Sequence, residues 1–294
     1  MATVGTEKFR YELDESWPKE MPDHWSFGPA ADVAVDSQDR VYVFSRGERP
    51  LTVWTSEGDF VTSWGEGKFR VAHGIFIDDE DHVWLADHQA HVVTKHDPGT
   101  GEILLELGER DYAQITANPN PNHGQPFNMP TGIALNEDGD IFVSDGYGNR
   151  KAHRFSPDGE LKLSWGRAGQ GPGEFSILHN IAVDSRGRVL IADRENDRVQ
   201  IFDQEGGFID EWRPVPKPGD FYVDPDGLIY VVGQGTPKKV AIFTPEGEEI
   251  GGFQGDESGL GASHGIWVNS RGDIYVAEIG NPPKGQRVLR YVRQ

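Results

Sequence analysis

The sequence predicts an all-β chain folded as a six-bladed β-propeller, and three observations carry that expectation: six copies of one hairpin pattern, a second hairpin after most of them, and unmatched strand fragments at the two ends. The first pattern is apolar run, polar turn, apolar run. It recurs as "DVAVDSQDRVYVFS", "GIFIDDEDHVWLAD", "GIALNEDGDIFVSD", "NIAVDSRGRVLIAD", "DFYVDPDGLIYVVG" and "GIWVNSRGDIYVAE". In each, two short strands flank an Asp/Asn/Gly turn, the chemistry of a tight hairpin.

The second hairpin follows as "LTVWTSEGDFVTSWG", "KAHRFSPDGELKLSWG", "RVQIFDQEGGFIDEW" or "KVAIFTPEGEEIGGF". Four strands in each repeat of about 40 to 50 residues read as one propeller blade. The last repeat ends at "RVLRYVRQ", one strand short, while "EKFRYELDESW" precedes the first blade without a partner. The N-terminal strand is therefore expected to join the last blade and close the ring. A right-handed solenoid is the alternative, but its repeats are shorter and leave no complementary fragments at the termini. One domain over residues 1–294 follows, with residues 108–130 as a long irregular segment, a lid or a binding loop.

Composition narrows the partners. The chain has 294 residues, 48 acidic against 28 basic, and a formal net charge of −20, which repels phosphate backbones and anionic membrane surfaces. Neither nucleic acid nor membrane is expected as a partner; a small-molecule substrate is. No apolar run reaches a membrane-spanning length, and "MATVGTEKFRYELDESWP" lacks the basic and apolar regions of a secretory signal, so a cytoplasmic location is expected. With no cysteine, any metal must be held by His, Asp or Glu, and ten histidines are present.

Three of those histidines share a slot. The residue five before the Asp or Asn that ends each inner strand is Ala31, His73, Thr131, His179, Gly219 and His264 in blades one to six, so histidine stands in every second blade, just before the inner strand. Blades of a six-fold ring lie about 60° apart, which lets three alternate imidazoles converge on the axis. Three neutral imidazoles with an open fourth position match a catalytic zinc site, and imidazole also suits iron, nickel and copper. The competing explanation is that each histidine caps a turn.

Residues just after the second strand return to the same mouth: Arg46, His88, the Gly146–Tyr147 pair, Arg194, Gln234 and Ile279. Two arginines and a tyrosine there suit a site that reads a carboxylate and moves a proton. Thr131 and His88 complete the set expected to face substrate, while His88 and His91 of "DHQAH" offer a weaker second metal pair, with surface placement as the other reading.

Together, "DGYGNRKAHRFSPDGELKLSWG", "PGEFSILHNIAVD", "ADRENDRVQIF", "VFSRGERPLTVW" and the three histidine slots resemble the peptidyl-α-hydroxyglycine α-amidating lyase family, six-bladed NHL-repeat propellers, from about residue 28 to 280. The resemblance implies a zinc lyase that cleaves the N–C bond of a carbinolamine to an amide and glyoxylate. It implies His73, His179 and His264 as zinc ligands, Arg46 and Arg194 as active-site arginines, and Tyr147 as the catalytic tyrosine. It also implies differences. Where the family has a calcium-ligating aspartate after the third histidine, this chain has Gly265, which puts calcium in doubt, and a methionine lining the family's site is replaced by Ala262. A metal-dependent hydrolase such as a lactonase and a non-catalytic interaction platform remain the two rival expectations.

Overall fold

A computed structural model describes residues 3–22, 25–113, 126–280 and 286–294. Among them, six antiparallel sheets follow one another, each with the four strands of a propeller blade, and helical structure is limited to short 3-10 turns such as Arg194–Asn196 and Asp256–Ser258.

The turn chemistry explains the hairpins. The Asp or Asn that ends each inner strand folds its side chain back onto the turn: the Asp36 carboxylate accepts the N–H groups of Gln38 and Arg40 at 3.0 and 2.8 Å, and Asp184 does the same for Arg186 and Arg188 at 2.9 and 2.8 Å. Three residues after that acid the chain enters the left-handed region, at Asp39 (φ 59°), Asp81 (φ 63°), Gly139, Gly187, Gly227 and Gly272. Gly fills four of these positions because it has no Cβ to clash there.

The chain divides into two compact units. One comprises residues 69–213 and contains three blades. Their inner strands are Ala72–Ile77, Gly132–Leu135 and Leu178–Val183. Apolar clusters fill the space between successive blades: Trp84, Val93, Leu107 and Phe127 with Ile133, Val143 and Phe155, then Phe142 and Ala152 with Phe175, Ile181, Ile191 and Phe202.

The other unit comprises residues 1–68 and 214–294. Its inner strands are Ala30–Val35, Pro218–Val223 and Ser263–Val268. Here the expected N-terminal pairing is present: strand Arg10–Asp14 lies antiparallel to Gln286–Arg293, with Tyr11 opposite Arg293 and Leu13 opposite Tyr291. Strand Thr3–Gly5 adds a fifth member outside it, which covers the edge that Arg10–Asp14 would otherwise present. Phe9 and Tyr11, 1% and 0% exposed, sit in a cluster with Tyr230, Val240, Phe253 and Tyr291.

Candidate functional site

The residues after each second strand are tied to the histidine slot by the backbone. The N–H groups of Arg46, His88, Arg194, Gln234 and Ile279 donate to the carbonyls of Pro29, Val71, Ile177, Lys217 and Ala262 at 2.8 to 3.0 Å. Each of those carbonyls lies two residues before a slot, so the equivalence read from sequence is a register in space. A carboxylate at the end of the second strand reinforces it: Asp87 accepts the Arg70 and Val71 N–H groups, Asp145 that of Asn128, and Asp193 that of Ser176.

One correction concerns the histidines themselves. They are not just before the inner strands but are the second residues of Ala72–Ile77, Leu178–Val183 and Ser263–Val268, where the register with the neighbouring strand shifts. Such a bulge puts one extra residue into the strand and re-aims its side chain. All three rings are buried, at 2%, 2% and 3% exposure.

In the unit of residues 69–213, five predicted site residues come together. The His73 and His179 ring centroids are 4.8 Å apart, and Tyr147 stands edge-on to them at 5.7 and 6.2 Å. Half-buried His88 stacks on His73 at 5.3 Å and meets the Tyr147 ring at 4.7 Å. Arg194 donates from Nη1 to the Tyr147 hydroxyl at 3.2 Å, with its Cζ 5.6 Å from the ring centre, while its Nε is held by Glu195 at 2.9 Å. The glycines beside the tyrosine permit this loop: a Cβ on Gly146 would stand 1.8 Å from the Leu178 carbonyl oxygen, and one on Gly148 would strike the Asn128 amide.

Thr131 plays a different part from the substrate contact expected of it. It is 1% exposed, and its hydroxyl bonds Ser144 and donates to the Leu178 carbonyl at 2.9 Å, while its own carbonyl oxygen receives His73 Nδ1 at 2.8 Å. Gly74 lets that carbonyl approach, since a Cβ there would lie 2.3 Å from it. His91 is also committed, its Nδ1 accepting the Met129 N–H at 3.1 Å, and burial pushes its pKa down. Of the segment 108–130, residues 114–125 lie outside the described residues, and with them most of the expected lid. Of its flanks, Phe127 is fully buried, whereas Asp111 is exposed and paired with Arg70 at 3.0 Å.

In the unit of residues 1–68 and 214–294, His264 Nδ1 contacts the Ala31 carbonyl oxygen at 2.6 Å. His264 and His73 thus share one arrangement: with a carbonyl as partner, Nδ1 carries the proton and Nε2 keeps its lone pair, the tautomer a metal ligand needs. Arg46 is exposed at the end of strand Val41–Ser45. Gly265 is explained by space, because a Cβ there would lie 2.0 Å from Asp32 Oδ1. A calcium-binding carboxylate on residue 265 therefore does not fit. Instead two buried acids lie here: Asp220 accepts the Ile266 N–H at 2.7 Å and hydrogen-bonds Asp32, and burial pushes the Asp220 pKa up.

Sequence reasoning missed three participants: Glu195, and the carbonyls of Thr131 and Ala31. Glu195 adjoins Arg194 in "DRE" and was within reach of a pattern argument; a backbone carbonyl has no residue type to signal it.

A family model described as a 6-bladed beta-propeller matches residues 132–245. The human protein named "NHL repeat-containing protein 3" is 31% identical over 98% of this chain and 85% of its own length. The chain belongs to the NHL repeat-containing proteins. This NHL-repeat chain is also similar to the Drosophila melanogaster protein named "Peptidyl-alpha-hydroxyglycine alpha-amidating lyase 1", at 32% identity over 83% of this chain and 48% of the fly protein, about half its length. In fold it is like the virginiamycin B lyase of Staphylococcus aureus, with a TM-score of 0.60 at 16% identity over 97% of this chain and 89% of the lyase.

Proposed function

We propose that the chain is a metal-dependent lyase that cleaves the C–N bond of a small α-hydroxylated amide or amine carrying a carboxylate, with zinc held by His73, His179 and His264. One observation carries the reading: the three histidines are each the second residue of an inner strand at a bulge, and in the unit of residues 69–213 the His73 and His179 ring centroids stand 4.8 Å apart. The Nδ1 contacts of His73 and His264 with carbonyl oxygens agree with it, since metal-bound histidines are oriented in this way by their outer partners. The similarity to the fly amidating lyase adds the reaction class.

Zinc supplies Lewis acidity that makes a substrate hydroxyl easier to deprotonate. The chain's own residues do the rest. Tyr147, as its phenolate, is the proton acceptor, its oxygen oriented by Arg194 and its ring packed edge-on against the stacked His88 and His73. Arg46 and Arg194 bind the substrate carboxylate, for which the planar guanidinium is matched in shape and charge. Loss of the hydroxyl proton lets the C–O bond become a carbonyl as the C–N bond breaks; the electron pair of that bond leaves with nitrogen, which takes up a proton to give the free amide or amine.

Metal content measured by inductively coupled plasma mass spectrometry is the first test, on wild type and on a His73/His179/His264 triple alanine variant purified without chelator or nickel resin. About one zinc per chain, lost in the variant, is expected. Release of glyoxylate from α-hydroxyhippurate by the zinc-loaded chain then tests the reaction. Bound zinc with no glyoxylate, but with turnover on a lactone panel, would move the site to hydrolysis. Absence of any metal would favour an interaction platform.

A further inference from the structure

Away from the histidine slots, in the unit of residues 69–213, an exposed serine, a buried histidine and a buried aspartate stand in line. Ser164 Oγ lies 2.7 Å from His153 Nδ1, and His153 Nε2 lies 3.4 Å from Asp145 Oδ2. Ser164 is exposed, whereas His153 and Asp145 are 1% and 0% exposed. The two ends of the imidazole are thereby distinguished. A carboxylate only accepts, so the ring proton sits on Nε2 and Nδ1 presents its lone pair to the serine hydroxyl. That is the logic of a base oriented by an acid and poised on a nucleophile, with the two ring nitrogens in exchanged roles relative to the usual hydrolase order.

The surroundings hold the line rigid. His153 and Ser164 are direct partners across strands Lys151–Phe155 and Leu161–Trp165, and Phe127 packs its ring edge-on against the imidazole at 5.4 Å and 80°. Asp145 is fixed by the Asn128 N–H and the Asn149 amide. The next blade shows that the fold does not need a histidine here. Gln200 occupies the equivalent ladder position, opposite Ile191 as His153 is opposite Val143, and its amide donates to Asp193 at 3.3 Å.

We propose that Ser164 is an activated serine, a covalent modification site for acyl and phosphonyl donors, with His153 as its base and Asp145 as the group that orients His153. With a fluorophosphonate, Ser164 Oγ attacks phosphorus, the Oγ–P bond forms and the P–F bond breaks. Fluoride leaves, and the serine proton passes to His153 Nδ1 and then to water. This site is independent of the metal reading.

The test treats the full chain with a biotinylated alkyl fluorophosphonate and locates the adduct by peptide mass spectrometry. One adduct per chain at Ser164 is expected, absent from Ser164→Ala and at least tenfold slower in His153→Gln. Gln200 is the reason to expect that the glutamine variant folds and keeps a donor to Asp145, and an unchanged melting temperature checks it. Wild type labelled in urea should show no preference for Ser164, which separates activation by the fold from ordinary serine reactivity without any variant. Equal rates in wild type and His153→Gln, adducts scattered over other serines, or no adduct on the native chain would overturn the proposal.

Discussion

Removing residues 1–17 tests how the last blade is completed. The deletion takes away strand Arg10–Asp14, whose four ladder partners are residues 290–293, and leaves the backbone of Gln286–Arg293 as a bare edge. It also removes Phe9 and Tyr11 from the cluster they share with Tyr230, Val240, Ile242 and Phe253. Fully burying one such side chain contributes about 1.5–3 kcal/mol, so the pair contributes roughly 3–6 kcal/mol before any backbone hydrogen bonds are counted. Against a total stability of about 5–15 kcal/mol, that is a large fraction. At about 2 °C per kcal/mol for a chain of this size, the melting temperature should fall by roughly 6–12 °C, followed by circular dichroism with a urea titration alongside. The milder Tyr11→Ala should lose about 3–5 kcal/mol by the cavity it leaves. An unchanged melting temperature in either protein would refute the assignment of this strand to the core of the last blade.

Other perturbations reach other links. Tyr147→Phe should lower kcat by about 10²–10⁴-fold with zinc content unchanged, because it removes a proton acceptor and not a ligand; equal turnover would discard the tyrosine's role. Gly265→Ala should destabilise by about 1–3 kcal/mol in a urea melt, since its Cβ would meet Asp32 Oδ1 at 2.0 Å. Saturating zinc at about 100 times its Kd should add about 2.7 kcal/mol to wild type and nothing to the triple alanine variant, read as a shift of the urea midpoint. Burial pushes Tyr11 and Tyr222 up to about 12, and raises Tyr230, Tyr275 and Tyr291 as well. The folded chain then holds phenolic protons that the unfolded chain releases near pH 10, so the tyrosines' contribution to stability is constant below that pH and falls as pH rises above it. Absorbance at 295 nm should show these tyrosines ionising together with unfolding; ionisation well before the circular dichroism changes would contradict their burial.

Particular residues show how far local information reaches. The Asp/Asn-x-x-Gly turns, the alternation of the inner strands and the leftover "EKFRYELDESW" are local chemistry, and the strands and the last-blade pairing follow from them. The equivalence of Arg46, His88 and Arg194 was also legible, because a fixed turn length places each at the same distance from its slot. Three things belonged to the tertiary structure alone. Bulges at Ala72/Ile75 and Ser263/Gly265 draw the histidines inside their strands, and a one-residue register shift leaves no mark in composition. The carbonyls of Thr131 and Ala31 set the tautomers of His73 and His264 from other blades, 58 and 233 residues away along the chain. Ser164, His153 and Asp145 line up only because three strands pair in one register, and hydrogen-bond geometry across strands depends on distances that sequence spacing does not encode.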